Sequence, residues 1–216
     1  MIDLYDFYLS PAAFRVRIAL RLKGLNHRAI PVSLVKGGGQ QLLADYRALN
    51  PQGVLPTLVD DEFVLAQSVA ILEYLDEVYP VPPLLPTDSA RRARARQFAQ
   101  MIVSDIQSLT NLRILAYLRT SLKASEAARS LWMRHWLLEG LDALELWLAA
   151  EGGRGRYCVG DAVTLADLCL VPLMFSARRF ALDLDDFPRL VAIESNCLEL
   201  DAFQSAHPDQ HAEKDR

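Results

Sequence analysis

The pattern of this chain changes at "YPVPPLLPTDS", residues 79–89, and that change narrows its possible folds more than any other feature. Pro80, Pro82, Pro83 and Pro86 remove amide donors and stiffen the backbone into an extended connector. Before the connector, short strand-like runs alternate with helical ones. After it, strand signals vanish, and residues 88–120, 125–151 and 164–178 carry apolar side chains at three- and four-residue spacing. The expected architecture is therefore α/β plus all-α: one domain over residues 1–80 and an all-α domain over 88–216.

Within the first domain, Met1 to Tyr8 reads as a strand. Ser10 to Lys23 reads as a helix, with Ser10 as N-cap, Pro11 at the first helical position and Gly24 just past the end. His27 to Val35 reads as a second strand. Gly37-Gly38-Gly39 then loosens the chain ahead of a helical Gln40 to Leu49. Strands are expected at Thr57–Val59 and Phe63–Leu65, with Asp60-Asp61-Glu62 as the turn, and a helix from Gln67. The order is βαβαββα, and its opening units imply a parallel sheet. Pro56 cannot donate to a ladder, so it marks an edge position or a cis peptide bond.

The start of the first helix is where chemistry is expected. A helix N-terminus presents unpaired N–H groups and a partial positive charge, so an anion there is stabilised twice over. Pro11 sits where a missing N–H matters least, leaving the amides of Ala12 and Ala13, and Ser10 can offer its hydroxyl proton. A serine in this place can also be only a cap. "Gln67-Ser68" repeats the arrangement, again after a strand and at a helix start, so one sheet offers two helix mouths to an anionic ligand.

Composition excludes other classes. The formal charge of −4 and pI near 5.6 argue against nucleic acid as a partner. No stretch approaches the roughly 20 apolar residues of a membrane span, and no signal peptide is legible, so a soluble, cytoplasmic protein is expected. Cys158, Cys169 and Cys197 form no CxxC pair, which fits a reducing compartment and buried packing thiols. His135 and His207 lack a partner at ligand spacing, so no metal is expected. Trp132, Trp136 and Trp147 read as core, and Thr164 with Asp167 as a capping box. Lysine is confined to Lys23, Lys36, Lys123 and Lys214, so most cationic positions are arginines, which grip carboxylates in a fork.

With these elements in place, "YLSPAAFRVRIALRLKG" resembles the Ser-Ser-Cys-x-Trp-Arg-Val-Arg-Ile-Ala-Leu motif of zeta-class glutathione transferases, the class of the maleylacetoacetate isomerases. The likeness recurs in "KGGGQQ", "ALNPQGVLPTL", "LAQSVAILEYL", "DIQSLTNLRIL", "YCVGDAVTLADLCLVP", "SARRF" and "ELDAFQSAHP", covering nearly the whole chain. It implies a thioredoxin-like first domain and a helical second one, glutathione as cofactor and a homodimer. Ser10 takes the place of the serine that hydrogen-bonds the glutathione sulfur. Pro11 and Ala12 stand where the family has a second serine and a cysteine, and Leu9 where many relatives have arginine, so the spare thiol is lost while the Ala12 amide survives. By the same likeness Gln41, the main chain of Leu55, Gln67 and Ser68 hold the tripeptide, the last two taking its γ-glutamyl carboxylate. Gln107 and Asn111-Leu112-Arg113 line it from the helical domain. Arg179 matches the arginine for the substrate carboxylate, and Arg15 is expected on the cleft side of the first helix, serving glutathione or substrate. Arg178 reads as a solvated charge.

The implied reaction is glutathione-assisted cis–trans isomerisation of a maleyl-type unsaturated keto acid, a small anionic electrophile such as maleylacetoacetate or maleylpyruvate. Halide displacement from an α-haloacid would use the same sulfur, and a non-catalytic association module is a third reading. One charge-assisted hydrogen bond is worth about 1.5–3 kcal/mol and a helix terminus about 0.3–1 kcal/mol. Together they lower a thiol pKa by about 1.5–3, enough to ionise it at neutral pH.

Overall fold

The computed structural model describes residues 1–150 and 155–211. It divides into two compact units, residues 1–84 with 198–211 and residues 85–197.

The first unit opens β1 (Ile2–Asp6), α1 (Pro11–Leu22) and β2 (His27–Pro31). It continues with α2 (Ala44–Leu49), β3 (Thr57–Asp60), β4 (Phe63–Ala66) and α3 (Ser68–Val78). The sheet order is β2-β1-β3-β4. β1 runs parallel to β2, with Leu4 opposite Ala29, whereas β1–β3 and β3–β4 are antiparallel. The expectation of a parallel sheet is thus corrected to a mixed one. A two-strand hairpin joins β3 to β4 through the Asp60–Glu62 turn, and a hairpin enforces antiparallel pairing. Pro56 precedes an internal strand, and its peptide bond with Leu55 is cis.

Alternation along β1 sends Ile2, Leu4 and Asp6 to the face covered by α1 and α3. Phe14, Ile18, Leu20, Leu58, Ile71, Leu72 and Leu75 are fully buried in this unit. Tyr5 points to the opposite face, where Phe7, Val32, Tyr46 and Leu55 form a second cluster. The expected helix at 40–49 is broken: 3₁₀ turns at Lys36–Gly38 and Gln40–Leu42 precede α2, because Leu43 adopts extended backbone between them. Lys23, at the end of α1, donates from Nζ to Asp76 Oδ1 at 3.0 Å, Tyr79 O at 2.7 Å and Pro82 O at 2.8 Å. One buried ammonium thereby holds the start of the proline connector.

The polar tail "AHPDQHAEKDR", residues 206–216, reads from sequence as frayed, whereas its described part is held in place. α10 (Asp201–Ala206) packs on α1, a 3₁₀ turn follows at Pro208–Gln210, and His211 is buried with Nε2 3.0 Å from Ser205 O. These residues group with the first unit, although the domain boundaries read from sequence put them with the helical domain. The last residues of that tail, 212–216, lie outside the described part, as does the end of the 125–151 helical stretch at 151.

The second unit is all-helical. α4 (Ser89–Gln100) passes through a π-helical segment, Met101–Ile106, into α5 (Gln107–Thr110), and α6 (Leu112–Thr120) and α7 (Glu126–Ala150) follow. α8 (Leu165–Arg179) and α9 (Pro188–Leu198) complete it, the latter not expected from sequence. The Thr164–Asp167 capping box is present: Asp167 is fully buried, Oδ1 accepts from Cys158 N at 2.8 Å and Oδ2 from Thr164 N at 2.7 Å. Buried Glu145 on α7 accepts from Arg189 N at 3.1 Å and Leu190 N at 3.0 Å, a carboxylate placed on the N-terminus of α9. The tryptophans are half-buried rather than full core residues, Trp132 donating to Leu109 O at 2.8 Å and Trp147 stacking edge-on against Phe98. His135 has a carboxylate partner after all, Glu139 one helical turn on at 3.3 Å.

Candidate functional site

After β1 the chain turns back through Phe7–Leu9, and Ser10 N–H closes the turn on Phe7 O at 2.8 Å. Ser10 caps α1 with φ −73° and ψ 117°, and its Oγ accepts from Ala13 N–H at 3.3 Å. Of the two amides expected to stay open, Ala13's is therefore taken and Ala12's remains, Pro11 having none. The cap fills the acceptor side of Ser10 and leaves its proton for an outside acceptor. Cap and donor are compatible roles of one hydroxyl.

The second mouth belongs to the same unit. Gln67 has φ 74° and ψ 113°, a left-handed backbone that a non-glycine residue adopts only when its surroundings impose it. Its Nε2 donates to Gln52 Oε1 at 2.7 Å. Ser68 follows as the first residue of α3 and is buried, with Oγ accepting from Arg15 Nη1 at 3.1 Å. Arg15 does not present a charge to an open cleft as expected. It is 1% exposed and stands behind Ser68.

Leu55 lies ahead of β3, and its main-chain N–H and C=O meet no protein partner among the described residues. The segment that presents it is held from below, where Tyr46 Oη and Asn50 Nδ2 both bond Val54 O, at 2.8 and 2.9 Å, and both reach Thr57 Oγ1. Burial raises the Tyr46 phenol's pKa, which keeps it a neutral donor. Gln41 folds against Gly39, and its Oε1 is buried without a hydrogen bond.

Arg17 was missed as a contributor. Its guanidinium is buried, pairs through Nη1 with both Asp6 oxygens at 2.7 and 2.8 Å, and donates from Nη2 to Tyr8 O and from Nε to Ala206 O, each at 3.0 Å. It thus ties the end of β1, the turn leading to Ser10 and the C-terminal helix to one side chain. The available signal was its place on the Ser10 face of α1, two turns on.

In the second unit, Gln107 opens α5 directly after the π-helical segment, and its Oε1 is buried without a partner. Asn111 is engaged as the cap of α6, accepting from Ile114 N at 3.1 Å and donating to Ser108 O at 2.8 Å, while Leu112 and Arg113 are exposed. Arg178 is not merely solvated: it pairs with buried Glu194, clamping α8 to α9. Arg179 is exposed over the Phe175 ring at 5.8 Å and forms no ion pair among the described residues. The two adjacent arginines differ in that one charge is neutralised and the other is not. Cys158 and Cys197 are buried, and burial pushes both thiols far above the ordinary range.

The chain is similar to known proteins along nearly its whole length. Residues 4–83 match the family model for the glutathione S-transferase N-terminal domain, and residues 133–201 that for its C-terminal domain. The chain is 46% identical to a maleylpyruvate isomerase from Ralstonia sp over 205 residues, 95% of this chain and 96% of that protein. It is similar, at TM-score 0.92 and 46% identity over 95% of this chain and 96% of the other, to the holo structure of a maleyl pyruvate isomerase described as a bacterial zeta-class glutathione-S-transferase. A maleylacetoacetate isomerase from Methylobacterium extorquens AM1, solved with malonate and GSH, matches at TM-score 0.92 and 40% identity over 95% of this chain and 96% of that one.

Proposed function

This chain belongs to the glutathione S-transferase family, in the zeta class, and from that we propose that it is a glutathione-dependent cis–trans isomerase of a maleyl-type keto acid, maleylpyruvate or maleylacetoacetate. The observation that carries the reading is the Ser10 hydroxyl, its acceptor side filled by Ala13 and its proton left for an anion at the mouth of α1. Polar groups without protein partners among the described residues fit the tripeptide, the Leu55 main chain and Gln41 Oε1, and Ser68 Oγ keeps its proton free beside them because it only accepts from Arg15.

When bound, glutathione supplies a sulfur nucleophile that makes the cis double bond transiently single and is returned unchanged after rotation. Ser10 donates its proton to that sulfur and the Ala12 N–H adds a second donor, so the anionic form is favoured before substrate arrives. Leu55 offers a donor and an acceptor to a peptide main chain, the pairing an extended strand would make. Gln67 and Ser68 take a carboxylate on the first turn of α3, while Gln41 contributes lining. Arg179, with its charge unneutralised, holds the substrate carboxylate and opposes the negative charge that develops on the keto acid. Arg15 is withdrawn from substrate contact.

We further propose a homodimer in a reducing cytoplasm, where three free thiols persist. Among the described residues no helix is long and apolar enough to cross a membrane. The deciding assay supplies purified protein with glutathione and, separately, maleylpyruvate, maleylacetoacetate and a dihaloacetate. Isomerisation of a maleyl acid without net glutathione consumption is expected. Turnover of the haloacid alone, or of none, refutes the reading.

A further inference from the structure

We propose that Arg15 is a positioning residue, fixing Ser68 as a one-way hydrogen donor to the γ-glutamyl carboxylate at the mouth of α3. The inference rests on the glutathione reading and adds a residue that acts through another. Arg15 is 1% exposed and Ser68 4%, so their contact of 3.1 Å is sheltered from water. A guanidinium only donates. Ser68 Oγ must therefore be the acceptor of this bond, and its single proton has to be directed elsewhere. Among the described residues no acceptor lies within hydrogen-bond reach of that proton. It is a buried donor left over, on the first residue of an eleven-residue helix whose start already favours negative charge. The left-handed Gln67 immediately before it turns the chain so that strand β4 gives way to that helix start.

Ser10 follows the same logic at the first mouth, where the Ala13 amide fills its acceptor side. At the second mouth the filling group is also a cation. It orients the hydroxyl and adds positive charge behind it, and a charge-assisted bond is about twice as strong as a neutral one.

The test is calorimetric titration with glutathione, and with an analogue whose γ-glutamyl α-carboxylate is an amide. It uses the wild type, Arg15→Met, Arg15→Lys, Ser68→Ala and the double variants. Arg15→Met should weaken glutathione about ten-fold, Ser68→Ala by a similar factor, and the pair by little more than either alone, because both act on one bond. Binding of the amide analogue should be weak in the wild type and nearly unchanged in the variants. If Arg15→Met fails to fold, the Arg15→Lys and Ser68→Ala cycle carries the same criterion. Additive losses, equal losses for both ligands, or unchanged affinity in the Arg15 variants would overturn the proposal. A wild type that binds no glutathione would instead remove the functional reading beneath it.

Discussion

Arg15 Nη1 donates to Ser68 Oγ across 3.1 Å, joining α1 to the first residue of α3. Through it the proposed binding face is braced from inside the fold. The Ser10 cap is braced similarly, its turn held by the Arg17 bond to Tyr8 O. Both helix mouths therefore owe their geometry to buried arginines of α1.

Arg17 should matter first for stability. Arg17→Met leaves Asp6 buried without its cation, and breaking such a pair costs about 3–5 kcal/mol. Urea unfolding should show a lowered midpoint, and Arg17→Lys, which keeps the charge but not the fork, should fall between the two.

Adjacent arginines on α8 should separate cleanly. Arg179→Gln should raise KM for the maleyl acid at least about ten-fold with an unchanged melting temperature, because its exposed charge forms no ion pair among the described residues and is proposed to serve the substrate carboxylate. Arg178→Gln should do the reverse: buried Glu194 loses its partner, costing about 1–3 kcal/mol, while KM stays put. Melting scans and steady-state kinetics on both variants check this.

Asp167 gives a pH dependence of known sign. Burial raises its pKa above the ordinary carboxylate value, and the Cys158 and Thr164 bonds only partly oppose this. The folded state therefore binds more protons than the unfolded one between those two values, so Asp167's contribution to stability falls as pH rises through that window. Asp167→Asn should flatten this part of the stability profile while costing about 1–3 kcal/mol, from an amide left without an acceptor. Denaturant titrations from acid to neutral pH read both effects.

The buried thiols should be inert. With Cys158 and Cys197 held protonated by burial and Cys169 buried beside them in the fold's interior, an alkylating reagent at mildly alkaline pH should modify none of the three until denaturant is added. Intact-mass measurement before and after unfolding decides it.

What was legible in the sequence was local. The βαβαββα order, the Ser10 cap, the Thr164–Asp167 box and the proline connector are each written in neighbouring residues, through alternation, turn chemistry and capping types. Strand direction is not local: the hairpin fixes β4 antiparallel to β3, but the antiparallel pairing of β3 with β1 joins strands roughly fifty residues apart, about which neighbouring residues say nothing. Six-residue α10 is too short to display a helical period, and it is fixed by packing on α1, far away in sequence. Arg15 and Arg17 read as surface charges on a helix. Their burial depends on Ser68, Asp6 and Ala206, which no spacing rule connects to them.

The central claim is that the mouth of α1 holds a sulfur in its anionic form through Ser10. Its most direct test is the ultraviolet thiolate absorbance of bound glutathione, titrated against pH in wild type and Ser10→Ala. A wild-type midpoint below neutrality, rising by about 1–2 in the variant, is the predicted result. A wild-type midpoint near the ordinary thiol value of about 8.5, or one unmoved by losing the hydroxyl, would contradict it.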